Sequence, residues 1–175
     1  MNHAETASVK RKTRRAARLD NVETIIQMVR EYLPAPGTWL GGFLFLSPDA
    51  LWGGILDKKS DGFSFAAVAE DQWPDGGMFL MVLEDGRVCV GDLNGYYLVD
   101  YCAASFPQFI QIMELYQKAV ETTPCPEEAG WEKYEERCER AEQVLRQQVL
   151  EIDPTAIADV EGFWSTIIEE FGAGM

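Results

Sequence analysis

Two turn signals nine residues apart constrain this chain more than any other feature. Met78 to Leu83 is an apolar run that ends in Glu84-Asp85-Gly86. Arg87 to Val90 follows and meets Asp92-Leu93-Asn94-Gly95, and Tyr96 to Val99 is apolar again. Asp-Gly and Asn-Gly accept the positive φ angles of tight hairpin turns, and the flanking runs have strand length. The pattern predicts three consecutive antiparallel strands over 78–83, 87–91 and 96–100.

The segments around this meander have other periods. Leu19, Val22, Ile25, Ile26, Val29 and Tyr32 recur at spacings of three and four, which predicts a helix capped by Asp20 or Asn21 and ended by Pro34, Pro36 and Gly37. Trp39 to Phe45 reads as a strand, and Ser47-Pro48-Asp49 reads as the start of a short helix through Ala50, Leu51 and Ile55. Lys58 to Gly62 is a polar turn, Phe63 to Ala69 a strand, and Asp71 to Gly77 a loop.

The last third is helical. Ser105 caps a helix with Pro107 in its first turn and Phe106, Phe109, Ile110, Met113, Tyr116 and Val120 on its apolar stripe. Trp131, Tyr134, Cys138, Ala141, Leu145 and Val149 make a second stripe, stopped by Asp153-Pro154. A final helix, capped by Asp159 with Gly172 beyond its end, carries Phe163, Trp164, Ile167, Ile168 and Phe171. The stripes predict burial of Phe109, Met113, Trp131 and Trp164; Trp39 is also expected in the core and Trp52 part-exposed. Helix, then strands, then helices is an α+β order, with an antiparallel or mixed sheet and helices packed on it.

Charge divides the chain. Residues 1–18 hold Lys10, Arg11, Lys12, Arg14, Arg15 and Arg18 against Glu5 alone, whereas the rest carries 9 basic and 28 acidic side chains within a total of -14. The first stretch reads as a flexible basic arm and residues 19–175 as one domain. So acidic a body repels phosphate backbones, which argues against direct nucleic-acid binding by it, and attracts basic partners. No apolar run has the roughly 18 residues of a membrane helix, and the basic N-terminus lacks the apolar stretch of a secretory signal, so a cytoplasmic protein is expected. Cys89, Cys102, Cys125 and Cys138 form no CxxC pair and read as free thiols, not as a zinc site.

Catalytic side chains are sparse. The one histidine, His3, lies in the arm, where no base can be held against a substrate proton. That argues against Ser-His-Asp, Cys-His and most zinc mechanisms. Neither GxxxxGK[ST] nor GxGxxG occurs. Gly41-Gly42, Gly53-Gly54 and Gly76-Gly77 read as turns or close backbone approaches. No catalytic residue, metal or cofactor is therefore expected. The candidate contact is the loop at Glu70, Asp71, Trp73 and Asp75, which sets an aromatic anchor among acids. The alternative, that Trp73 folds back over the sheet edge, stays open.

The stretches MFLMVLEDGRVCVGD and YYLVDYCAASFPQFIQIMELY resemble the SUKH superfamily, the Smi/Knr-type domain. Their features are an apolar strand, a hairpin with an acidic residue and Gly in its turn, another strand, and a Ser-Phe-x-x-Phe helix start. The segment IDPTAIADVEGFWSTIIEEF resembles the fourth SUKH subfamily in particular. The likeness spans about 110 residues, from the strands to the C-terminus; YLPAPGTWLGG matches the family's N-terminal region loosely, and residues 1–18 are no part of it. The resemblance implies an immunity protein that binds and blocks a cognate bacterial toxin, often a nuclease or deaminase, and it carries no catalytic residues. A regulatory scaffold of the Smi/Knr type is the alternative within the superfamily, and a small enzyme using carboxylates alone is the alternative outside it.

Deleting residues 1–18 is expected to leave the melting temperature within about 2 °C of the full chain, because nothing there can join a core. Thermal unfolding followed by circular dichroism checks this.

Overall fold

Alanine makes the middle of the sheet. Phe63–Asp71 is the longest strand, and its run Ser64 to Ala69 is buried throughout, with Ala66, Ala67 and Ala69 leaving room for neighbours. In the computed structural model, residues 21–40, 42–56, 63–71, 77–92, 97–123 and 130–174 are described. The basic arm, His3, Cys125, Trp73, Asp75 and the turns at 58–61 and 93–96 lie outside them.

A helix over 21–30 (α1) precedes seven strands: β1 Trp39–Leu40, β2 Phe43–Phe45, β3 Trp52–Leu56, β4 Phe63–Asp71, β5 Met78–Leu83, β6 Val88–Asp92 and β7 Tyr97–Ala103. Three helices follow, α2 Phe106–Thr122, α3 Trp131–Ile152 and α4 Phe163–Gly172. The fold is α+β, with an antiparallel sheet in the order β1-β2-β4-β5-β6-β7 and β3 paired with β4 off that path. The three strands expected from the two turn signals are β5, β6 and β7, neighbours in that order. The chain divides into two compact units. One takes the chain through Gly86 plus Gly91–Leu98; the other takes Arg87–Val90 and Val99 onward.

In the first unit, β4 shares one edge between two partners. Phe43–Phe45 pairs with Ala69–Asp71, and Trp52–Leu56 pairs with Phe63–Ala67. The register against β5 shifts between Ala67 and Ala69, a bulge at the changeover. Helix α1 buries Val22, Ile25, Ile26 and Val29, as its periodicity predicts, while Tyr32 lies past its end and is exposed.

Three expectations fail here. The strand expected over 39–45 is a hairpin: Leu40 sits opposite Phe43, and Gly42 takes a φ of 87° in the two-residue turn. Trp39 is 53% exposed, because strand alternation gives the inward position to Leu40. The short helix expected through Ala50 and Ile55 is instead one turn, closed by Ala50 N–H to Ser47 O at 2.9 Å, followed by strand β3. Gly53 explains the outcome. A Cβ there would come within 2.3 Å of the Phe65 carbonyl oxygen and 2.5 Å of Val22 Cγ1, so only glycine lets β3 lie this close.

In the second unit, Ser105 caps α2 as expected. Its hydroxyl oxygen accepts the Gln108 N–H at 3.4 Å and its hydroxyl proton goes to Gln108 Oε1 at 2.6 Å. Phe106, Phe109, Ile112 and Met113 are buried, whereas Val120 is exposed. The core is aromatic: Trp164 packs against Phe109 at 5.5 Å, Phe163 at 5.3 Å and Tyr116 at 6.3 Å, and Tyr116 meets Phe171 edge-on. On α3, Cys138, Leu145 and Val149 are buried.

Trp131 is not in the core as its stripe predicts; it is 67% exposed. Helix α4 runs back along α3, bringing Ser165 to Arg146, Gly172 to Glu142 and Gly174 to Tyr134. The described chain stops there, and Trp131 stands a turn further out. The ends of α4 also differ from expectation. Gly162, not Asp159, is the N-cap, while Asp159 builds the preceding turn by accepting the Glu161 N–H and the Ser165 hydroxyl. Gly172 is helical and packs on Glu142; the left-handed residue beyond the end is Gly174, at a φ of 75°.

Phe109→Ala or Trp164→Ala should cost about 3–5 kcal/mol, and Trp131→Ala less than about 1 kcal/mol. Trp164→Phe should cost less than Trp164→Ala, because the phenyl ring keeps most of the buried volume, while either change removes an indole N–H that has no acceptor among the described residues. Urea unfolding of the four variants checks the order.

Candidate functional site

The candidate contact residues begin at the end of β4. Glu70 and Asp71 are its last two residues and are half-buried, paired in register with Leu44 and Phe43. Trp73 and Asp75 lie outside the described residues. Glu70 has a partner that sequence reasoning missed: Trp52 donates its indole N–H to Glu70 Oε1 at 2.9 Å. The Trp52 ring in turn meets Phe65 edge-on at 5.6 Å and Phe79 at 5.2 Å. The contact needs Trp52 on a strand beside β4, and reading residues 50–55 as a helix hid it. An aromatic cluster thus holds a carboxylate at the strand's end.

From residue 19 onward the sequence of the first unit is predominantly acidic, with twelve acids against Arg30, Lys58 and Lys59. Glu84 accepts the Asn21 amide at 3.3 Å and the Ser64 N–H at 3.4 Å. Asp92 accepts the exposed Tyr97 phenol; that hydrogen bond, then the carboxylate's charge, raises the phenol's pKa. Such a surface favours cations and disfavours phosphates.

In the second unit the most buried carboxylate is Asp153, at 2% exposure. It accepts the Ala104 N–H at 2.6 Å, the Thr155 N–H at 3.0 Å and the Thr155 hydroxyl. Beside it Gln108 donates to the Ile152 carbonyl at 2.8 Å, and Tyr101 shares a hydrogen bond with Thr155. These bonds tie the end of α3 to the start of α2. With its lone pairs engaged by backbone and hydroxyl donors, Asp153 is a structural carboxylate. Asp100 is raised above the ordinary carboxylate range by burial, against the pull of the Tyr101 and Phe163 N–H groups and with a contribution from Asp159.

Cys89, Cys102 and Cys138 are free and buried. Burial pushes the Cys102 thiol well up, Cys89 and Asp100 add to that, and the Val90 N–H opposes it, so Cys102 holds its proton and is a poor nucleophile. Among the described residues no three His, Cys, Asp or Glu side chains come together as a metal site, and no helix is long and apolar enough to cross a membrane. Comparison with known protein families, curated proteins and solved structures finds no match to this chain.

Asp153→Ala should cost about 2–4 kcal/mol, since it strands two backbone N–H groups and the Thr155 hydroxyl. Thr155→Val should cost less, because the Ala104 bond survives. Denaturant melts of both variants check this.

Proposed function

We propose that this chain is a non-catalytic immunity protein of the SUKH type, which binds and neutralises a basic bacterial toxin domain of nuclease or deaminase class in the cytoplasm. The observation that carries the reading is the acidic excess from residue 19 onward, 28 acidic against 9 basic side chains, with Glu70 fixed by Trp52 at the end of β4. A nuclease or deaminase that grips a phosphate backbone presents a basic face, and an acidic surface of this kind meets it without needing chemistry of its own. The strand–turn–strand and Ser-Phe-x-x-Phe pattern of the sequence supports the same reading.

Opposite charges across an interface speed encounter, and salt screens them with a Debye length of about 8 Å at physiological ionic strength. The test mixes the purified chain with basic nuclease and deaminase toxin domains, taken first from any that the genes beside this one encode. Toxin activity should fall to background at one equivalent, and the association rate should drop about tenfold or more between 0.05 and 0.5 M salt while dissociation changes less. Replacing Asp71, Trp73 and Asp75 together by Ala should weaken binding at least about tenfold, or 1.4 kcal/mol. Full toxin activity in excess chain overturns the reading; an unchanged affinity of the triple variant removes only this end of β4 from the interface.

A further inference from the structure

Strand register sorts the side chains of the first unit onto two faces, because residues directly opposite one another on antiparallel strands point the same way. Leu40, Phe43 and Phe45 share a face with Ala69 and Leu80, and all five are buried. The opposite face carries one row across four strands: Trp39 of β1, Leu44 of β2, Glu70 of β4 and Phe79 of β5. Exposure falls along the row. Trp39 is 53% exposed, Leu44 and Glu70 are half-buried, and Phe79 is fully buried.

Trp52 joins this face from beside Glu70. It donates its indole N–H to Glu70 Oε1, and its ring packs on Phe79. A neutral donor thus fixes the carboxylate without cancelling its charge. Glu70 Oε2 accepts no hydrogen bond among the described residues. The carboxylate is held in place, part-shielded from water, with one oxygen open. Adjacent strands lie about 4.8 Å apart, so the Trp39 and Glu70 backbones stand about 10 Å apart, with Leu44 as the floor between them.

From this we infer that the row is a binding site for an arginine side chain of a partner protein. The guanidinium lies over Leu44, donates to Glu70 Oε2 and stacks on the Trp39 indole. A guanidinium is a planar cation: its edge hydrogen-bonds a carboxylate while its face lies within about 6 Å of an aromatic ring centre, so it uses both walls of the site. An ammonium group is more strongly hydrated and has no face to stack. A calcium or magnesium ion needs more oxygen ligands than one side chain supplies, and an anion meets the charge of Glu70. Because Trp52 has already ordered Glu70, binding does not have to do so. Asp71 lies opposite Phe43 and belongs to the other face, outside the row. That the arginine belongs to a toxin domain rests on the function proposed above; the chemistry of the site does not.

The experiment is a titration of the full chain, labelled with nitrogen-15, with N-acetyl-arginine amide at constant ionic strength. The readout is the set of tryptophan indole N–H signals in proton–nitrogen correlation spectra, with Trp39→Ala and Trp52→Phe assigning two of them. In the wild type the Trp39 and Trp52 signals should move along a saturable curve with a Kd on the order of a few millimolar, as a single side chain supplies. The neutral citrulline analogue should move neither. Glu70→Gln keeps an acceptor for the Trp52 indole and removes the charge; it should weaken binding at least about fivefold, and so should Trp39→Ala read at Trp52. Dispersed amide signals establish that each variant folds; if Glu70→Gln does not, the citrulline comparison and Trp39→Ala decide. Absent or unsaturable shifts, equal affinity for the citrulline or lysine analogue, or unchanged affinity in either folded variant overturns the inference. The titration contains no toxin, so its failure leaves the toxin reading standing, and a toxin that is not neutralised leaves the arginine site standing.

Discussion

Strand β4 has neighbours on both edges and is buried on both faces, and the first unit follows from what that demands. A strand so enclosed can carry few large side chains, and Ala66, Ala67 and Ala69 meet the demand. The partner on its shared edge must also come close, which Gly53 permits and a Cβ would not. Once β3 lies there, Trp52 falls beside Glu70 and the carboxylate gains an indole donor. The acidic end of the strand is thus a downstream result of small residues in its middle.

The second unit rests on a different device. Helices α2 and α4 pack through aromatic rings around Trp164, and α3 adds Cys138, Leu145 and Val149, which supplies apolar area but little orientation. Direction comes from polar links, with Ser105 and Gln108 starting α2 and Asp153 and the Ile152 carbonyl ending α3. The same links hold the end of α3 against the start of α2.

Much of this was legible from local signals. Asp85-Gly86 and the Ser105-Pro107 start are short-range devices whose geometry the residues themselves specify, and β5 and α2 appear where those signals place them. The misses were of another kind. Trp131 continues its stripe perfectly, yet its exposure depends on where α4 runs out, a fact about a segment some forty residues away. Gly53-Gly54 was legible as a turn or a close backbone approach, and Phe65 makes it the second, but no local signal placed the pair in a strand. At the candidate contact, Glu70 and Asp71 were readable as acids beside an aromatic, but the aromatic that holds Glu70 is Trp52, eighteen residues earlier.

The bond from Ala104 to Asp153 joins positions 49 apart, and its distance along the chain shapes how the molecule assembles. Closing a loop of that length costs about 3–4 kcal/mol in chain entropy, far more than one hydrogen bond returns. The link therefore forms only after α2 and α3 have met through their apolar faces. It acts as a latch set late in folding, so its contribution falls on the rate of opening more than on the rate of closing. The chain resists unravelling at the junction of strand β7 and helix α2 because a carboxylate from a distant helix end reaches back to hold it.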